Sequence, residues 1–376
     1  MSNLVEAYRA SGHDVSSVGV LGSPLYAPEP GFLPSPSNEE LRRFLHNTFL
    51  MEDWVIGRMA VEDDDYFERL ASMIPESPDL IHVEHPWLFA FARRYVRSRG
   101  LTAAILYGSA NVEHVLKRTI VASYIGEEHA KVCERLVLAC EEDAAAQADL
   151  TCAVSEGDAR WLEAHGASNV IVAANGVRER TVNLRGIDEA SRIAGNHKYA
   201  LYCASGHPPN IVGFYEMFDR GVGCLSPEER VVVVGSAGNG IRGNSRFGSV
   251  PALSRHFVDA GEVDEETLQG LIHCAHALIL PITQGGGTNL KTAEALWSGR
   301  HVVATPQAMR GFESFIGHSG VVVCNDDIAF RHGVRERMAA PPLNLAASDR
   351  NSRRSVLWPS TLRPIVDKLN TLTTLP

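Results

Sequence analysis

The chain has 376 residues, 45% of them apolar and 21% charged, the balance of a globular protein long enough for two domains of ordinary size. Its net charge of −10 excludes a bulk nucleic-acid binder, so any anionic ligand has to be met by a local cluster of donors. No run reaches the roughly 20 apolar residues of a membrane span, and no basic start leads into an apolar core, so a cytoplasmic protein is expected. The seven cysteines are scattered and never spaced Cys-x-x-Cys, which fits reduced thiols better than disulfides or structural zinc.

In chain order, residues 1–9 read as a helix, and short apolar runs follow at 14–22, 80–84, 103–106, 150–154 and 170–173. Amphipathic helices fill 38–76. The second half repeats the rhythm at 199–204, 231–235, 257–263, 277–282, 301–305 and 321–324. Continuous apolar runs separated by helical stretches predict parallel sheets covered on both faces, hence an α/β chain of two doubly wound, Rossmann-like domains facing a cleft. The first domain is expected over 1–178 and the second over 179–350, because 178–197 is polar and has no convincing strand. Residues 351–376, with Trp358 and a helical apolar pattern, are expected to cross back to the first domain. Ser155 to Asp158 resembles a capping box, and Asp264 is a candidate N-cap for 265–275.

The stretch 281–305 carries the most chemistry: an apolar run, three consecutive glycines at 285, 286 and 287, then a helix with Lys291 and Glu294 in its first turns. Glycines let backbone amides approach a phosphate, and the start of the helix favours negative charge. The amides of Gly285, Gly286, Gly287, Thr288, Asn289 and Leu290 are thus candidate phosphate donors. Lys291 adds a cation, and Glu294, three residues on, offers a carboxylate to a sugar diol. No Gly-Lys-Ser/Thr ending makes this a Walker loop. Elsewhere, 235–240 is read as a loop, Asp63-Asp64-Asp65 as the start of a solvated helix, and His273, Cys274 and His276 as part of an apolar helix without further metal ligands. The basic helix end at 91–99 suits a solvated face or anionic headgroups of the inner membrane surface.

These pieces together resemble the retaining glycosyltransferases of the group-one family, whose architecture is the two-Rossmann-domain GT-B fold. The matching residues are 9–15, Pro78 to Pro86, Asn111-Val112-Glu113, 148–149 with 154–156, 175–177, 204–210, 261–263, the glycine stretch and 308–313. The resemblance implies a second domain that binds a nucleotide sugar, with Ser205, Gly206, His207 and Asn210 on the phosphate side, Val263 against the base and Glu294 at the ribose. It implies Lys291 as the group that stabilises the leaving diphosphate without a metal or other cofactor, and retention of anomeric configuration. The acceptor, a glycan or lipid-linked molecule, would meet the first domain, where His85, Asn111 and Glu113 are candidate contacts.

Two departures stand beside the matches. Residues 1–9 already read as the helix that ordinarily follows the first strand, so the first sheet is expected to lack that central strand, with the translation start in question. Ala110 also stands where the family has a histidine, with His85 and His114 as candidate replacements. Besides a transferase, a degenerate sugar-nucleotide-binding protein and a GT-B nucleotide-sugar epimerase are therefore expected alternatives.

Overall fold

The computed structural model describes residues 2–218, 221–249, 251–285 and 288–373. The chain forms two compact units, Met1–Ala174 with Leu362–Pro376 and Asn175–Thr361. Among the described residues no helix is long and apolar enough to cross a membrane.

In the first unit, strands β1 (Gly19–Val20) and β2 (Phe32–Leu33) pair in parallel as a small separate sheet. Strands β3 (Leu80–Glu84), β4 (Ala104–Ser109), β5 (Leu150–Ala153) and β6 (Val170–Val172) form a parallel sheet in that order. Both sheets press onto one helical layer. Val20, Leu33 and Ile81 join Val55, Met59, Phe67, Leu70 and Phe91 of the helices Glu52–Glu62, Asp64–Ala71 and Phe89–Ser98 in a single apolar cluster. No described strand joins the free edge of β3 to the β1–β2 pair. Asp63 caps the Asp64–Ala71 helix through the Tyr66 amide, and Ser155 caps Glu156–Ala164 through that of Asp158. The basic helix end is largely neutralised: Arg93 pairs with Asp143, Arg94 with Asp64 and Arg99 with Glu68.

The second unit is a parallel sheet of β7 (Lys198–Cys203), β8 (Glu229–Val234), β9 (Phe257–Gly261), β10 (Ala277–Leu280), β11 (His301–Ala304) and β12 (Val321–Val323). Their order across the sheet is β12-β11-β10-β7-β8-β9. Alternate side chains bury into opposite clusters, Leu201, Val232 and Leu278 on one face and Tyr202, Val233 and Ile279 on the other. That double burial is why the runs are continuously apolar. The order reverses between β7 and β10, the place where doubly wound sheets open a crevice at the carboxyl ends of their strands.

Two expectations change. The units divide at 174/175 and 361/362 instead of 178/179 and 350/351. The reason is local pairing: Val177 bridges Leu357 in parallel, with Val177 N donating to Val356 O and Trp358 N to Val177 O. Only the helix Arg363–Thr373 joins the first unit, where Ile365 and Leu369 are buried and the helix packs on β6. The polar stretch before β7 forms a helix, Leu184–Ala194, capped by Asn183. Residues 235–240, read as a loop, include the start of the helix Ala237–Arg242. Its glycines serve close packing, since a Cβ at Gly238 would lie 2.0 Å from Asp259 Oδ1.

Candidate functional site

Two loops meet at the switch point of the second unit. One follows β7 as Ser205, Gly206 and His207 and enters the helix Pro208–Phe218, whose opening prolines have preset φ and no amide to leave unpaired. The other follows β10 and enters the helix Leu290–Trp297, where Asn289 is the N-cap and its Oδ1 accepts from Lys291 N at 3.3 Å. Gly286 and Gly287 lie outside the described residues. Gly285 has φ 124°, a conformation that excludes most side chains. Its carbonyl accepts from Gln307 Nε2 at 2.7 Å and Arg310 Nη1 at 2.9 Å. Thr288 is buried, and its hydroxyl accepts from Asn175 Nδ2 at 2.9 Å. Leu290 is exposed.

A lysine fastens the loops together. Lys291 Nζ donates to Asn210 Oδ1 at 2.7 Å, and Asn210 Nδ2 donates to Ser205 O at 2.9 Å and Ser205 Oγ at 3.2 Å. Gly206 N donates to Ser236 Oγ at 2.8 Å. Three ionisable groups here are displaced toward their neutral forms. Burial lowers the Lys291 pKa against the opposing pull of Cys203 and Glu294. Burial, then Lys291, lowers that of His207. Burial raises that of Glu294, although Arg180 Nη1 lies 3.8 Å from its Oε1. Val263 follows β9 and packs half-buried against the core beside the sheet.

The first unit gathers its own polar cluster after β3 and β4. His85 has φ 62°, a strained value for a non-glycine residue, and its amide donates to Gly108 O at 2.9 Å. Its Nδ1 lies 3.1 Å from Glu113 Oε1, which also accepts from Asn111 Nδ2 at 3.3 Å. Neither Asn111 nor Glu113 caps the helix Glu113–Tyr124. Glu141, fully buried on a neighbouring helix, does that work: its carboxylate accepts from the amides of Glu113 at 2.6 Å and His114 at 2.9 Å, and lies 2.7 Å from His114 Nδ1. His114 is thereby a buried structural histidine. Burial opposes a charge on His85, but Glu113, with Glu84 and Asp53, outweighs it and raises the pKa. His85 and Glu113 line a pocket of about 270 Å³ with Asp53, Trp87 and Lys117.

Residues 1–176 match the family model of the glycosyl transferase 4-like domain. The match spans 176 of the 376 residues. The whole chain has the GT-B fold of glycosyltransferases, as its likeness to solved structures shows. Sucrose-phosphate synthase from Thermosynechococcus elongatus is 14% identical over 88% of this chain and 80% of that one, with a TM-score of 0.63. The lipopolysaccharide outer core galactosyltransferase WaaB is 14% identical over 98% and 94%, with a TM-score of 0.61. A trehalose-6-phosphate structure from E. coli, bound with UDP-2-fluoro glucose, is 11% identical over 100% and 96%, with a TM-score of 0.60. No curated protein matches the sequence.

The structure brings Ser205, Asn210 and Lys291 into one hydrogen-bonded group and sets His207 and Glu294 within the field of the lysine. His85, Asn111 and Glu113 converge as well. Among the described residues no three His, Cys, Asp or Glu side chains converge as metal ligands. Arg180, Ser236, Asn175 and Glu141 were not legible as site residues. Each acts on a partner at least 27 residues away in the chain, so no local spacing marks it.

Proposed function

We propose that the protein is a glycosyltransferase that moves a sugar from a nucleotide-diphosphate donor to a hydroxyl of a glycan or lipid-linked acceptor, with retention of anomeric configuration and without a metal ion. The Lys291–Asn210 hydrogen bond carries the reading, because it fixes a cation between the two loops at the switch point. As the bond between the anomeric carbon and the diphosphate oxygen breaks, its electron pair passes to that oxygen. Lys291 and the amide end of the helix Leu290–Trp297 stabilise the charge that develops there. The acceptor oxygen bonds to the anomeric carbon on the face being vacated, and its proton passes to the departing diphosphate. Glu294 accepts hydrogen bonds from the ribose hydroxyls. In the first unit His85, held by Glu113, supplies the imidazole that Ala110 does not.

A second reading, binding without transfer, is favoured by Ala110 alone. A panel of nucleotide sugars, assayed for binding, hydrolysis and transfer with and without a chelator, separates the two. Transfer that survives the chelator and is lost in His85→Ala supports the enzyme. Tight binding with no turnover of any donor supports the second reading, and nucleotide affinity unchanged in both Lys291→Ala and Glu294→Ala sinks the site assignment.

A further inference from the structure

The second unit holds a groove of about 740 Å³ that contains none of Ser205, Gly206, His207, Asn210, Lys291 or Val263, and shares only Glu294 and its neighbour Arg180 with the site above. Its volume is that of a small-molecule site. Six arginines line it, Arg178, Arg180, Arg300, Arg350, Arg353 and Arg354, against two carboxylates, Glu179 and Glu294. Such a surplus of fixed positive charge is out of keeping with a chain whose net charge is −10.

Internal pairing accounts for part of the cluster. Arg180 reaches Glu265 and Glu294. Arg354 lies 3.8 Å from Glu179 and over the Trp297 ring. Arg353, 1% exposed, donates to Leu296 O and Ser319 O at 2.7 Å each, closing the end of the Leu290–Trp297 helix. Arg350 has only a carbonyl, Leu345 O, at 3.5 Å. Arg300 shares with Arg353 an Nε buried without a hydrogen-bond partner, but among the described residues its guanidinium reaches neither a carbonyl nor a carboxylate. It stands beside His273, whose pKa is lowered by burial and then by Arg300, so the imidazole faces the groove neutral. A half-buried guanidinium without a counter-charge is costly, and its planar fork matches phosphate oxygens two at a time.

We propose that this groove is a second anion site, which takes a phosphate-bearing small molecule on Arg300 and Arg350, apart from the glycine loop. Phosphate on a soluble ester and phosphate on a lipid headgroup share that chemistry. The test uses the intact chain and inorganic pyrophosphate in a calorimetric titration. In the Lys291→Gln background, which removes the cation of the glycine-loop site, one pyrophosphate should still bind. Adding Arg300→Gln and Arg350→Gln should weaken that binding by about tenfold or more with unchanged circular dichroism. Loss of all pyrophosphate binding in Lys291→Gln alone, or binding unaffected by the arginine substitutions, overturns the proposal. Since Arg300 is partly buried, Arg350→Glu provides a second variant at an exposed position, expected to weaken binding at least as much. Sedimentation with phosphatidylglycerol vesicles assigns the source. Co-sedimentation abolished by Arg350→Glu supports the site with a lipid phosphate, and pyrophosphate binding without co-sedimentation supports it with a soluble one. The wild-type stoichiometry reads the glycine-loop assignment independently: no change on Lys291→Gln counts against that assignment and leaves the groove standing.

Discussion

The polar clusters of the two units are opposites in their electrostatics. Around Lys291, burial moves all three groups toward neutrality, lowering Lys291 and His207 and raising Glu294. In the first unit the shifts run toward charge. His85 is raised by Glu113, and Glu84 is lowered, because His82 and His85 outweigh its burial. One cluster is moved toward neutrality by its burial, with Lys291 held to the neutral amide of Asn210 and Glu294 3.8 Å from Arg180. The other has neutralised itself, and its buried Glu141 and His114 are part of the scaffold. Binding energy should therefore come from the second unit, and orientation from the first.

The sharpest way to break this contrast is Glu141→Ala. It strands the His114 ring and two helix amides in the interior, and should cost about 3–5 kcal/mol in denaturant unfolding. A loss near zero would show that the first cluster is not structural. Next in size, Lys291→Ala should lower kcat/KM by about 10²–10³, as expected for one group on a developing anion, while leaving the melting temperature level or higher. A sharp fall in melting temperature would place the lysine in the scaffold instead.

Glu294→Gln should weaken nucleotide binding by about tenfold, the scale of a hydrogen bond to a charged group. It should also stabilise the ligand-free protein at pH 7. A carboxyl whose pKa is raised binds its proton more tightly when folded, so stability falls as pH rises from about 4.5 through the folded pKa. Glutamine removes that loss, and the two melting temperatures should converge at pH 4. The smallest effect is expected of Glu113→Gln. His85, with its pKa raised, contributes stability that is full below about 6.5 and lost as pH rises through the folded value. If charged His85 is the working form, the alkaline limb of kcat/KM moves to lower pH in this variant, and an unmoved limb excludes it.

Much of this was legible because the information is local. The run Leu80–Glu84 is a strand at the same bounds, and the glycine stretch with Lys291 and Glu294 does open a helix beyond β10 at the switch point. Spacing could not reveal what depends on contact between distant segments. Arg180 lay in a polar stretch that proved to adjoin Glu294, and Glu141 lay mid-helix, where nothing marks a residue that caps another helix. The helix at 237–242 was missed because glycines were read as loop formers, whereas Gly238 is small to admit Asp259. Motifs are written in sequence neighbours, and their supporting partners are chosen by the tertiary fold.

The return of the chain to its first unit at Leu362 sets an order for biosynthesis. The second unit, Asn175–Thr361, is continuous in the chain and has every residue it needs before the helix Arg363–Thr373 leaves the ribosome. The first unit emerges earlier, yet it must wait with the surface meant for Leu362, Ile365 and Leu369 uncovered. The half synthesised first is thus the half completed last, and a chain that ended before residue 362 would carry a finished second unit tethered to an unsealed first one.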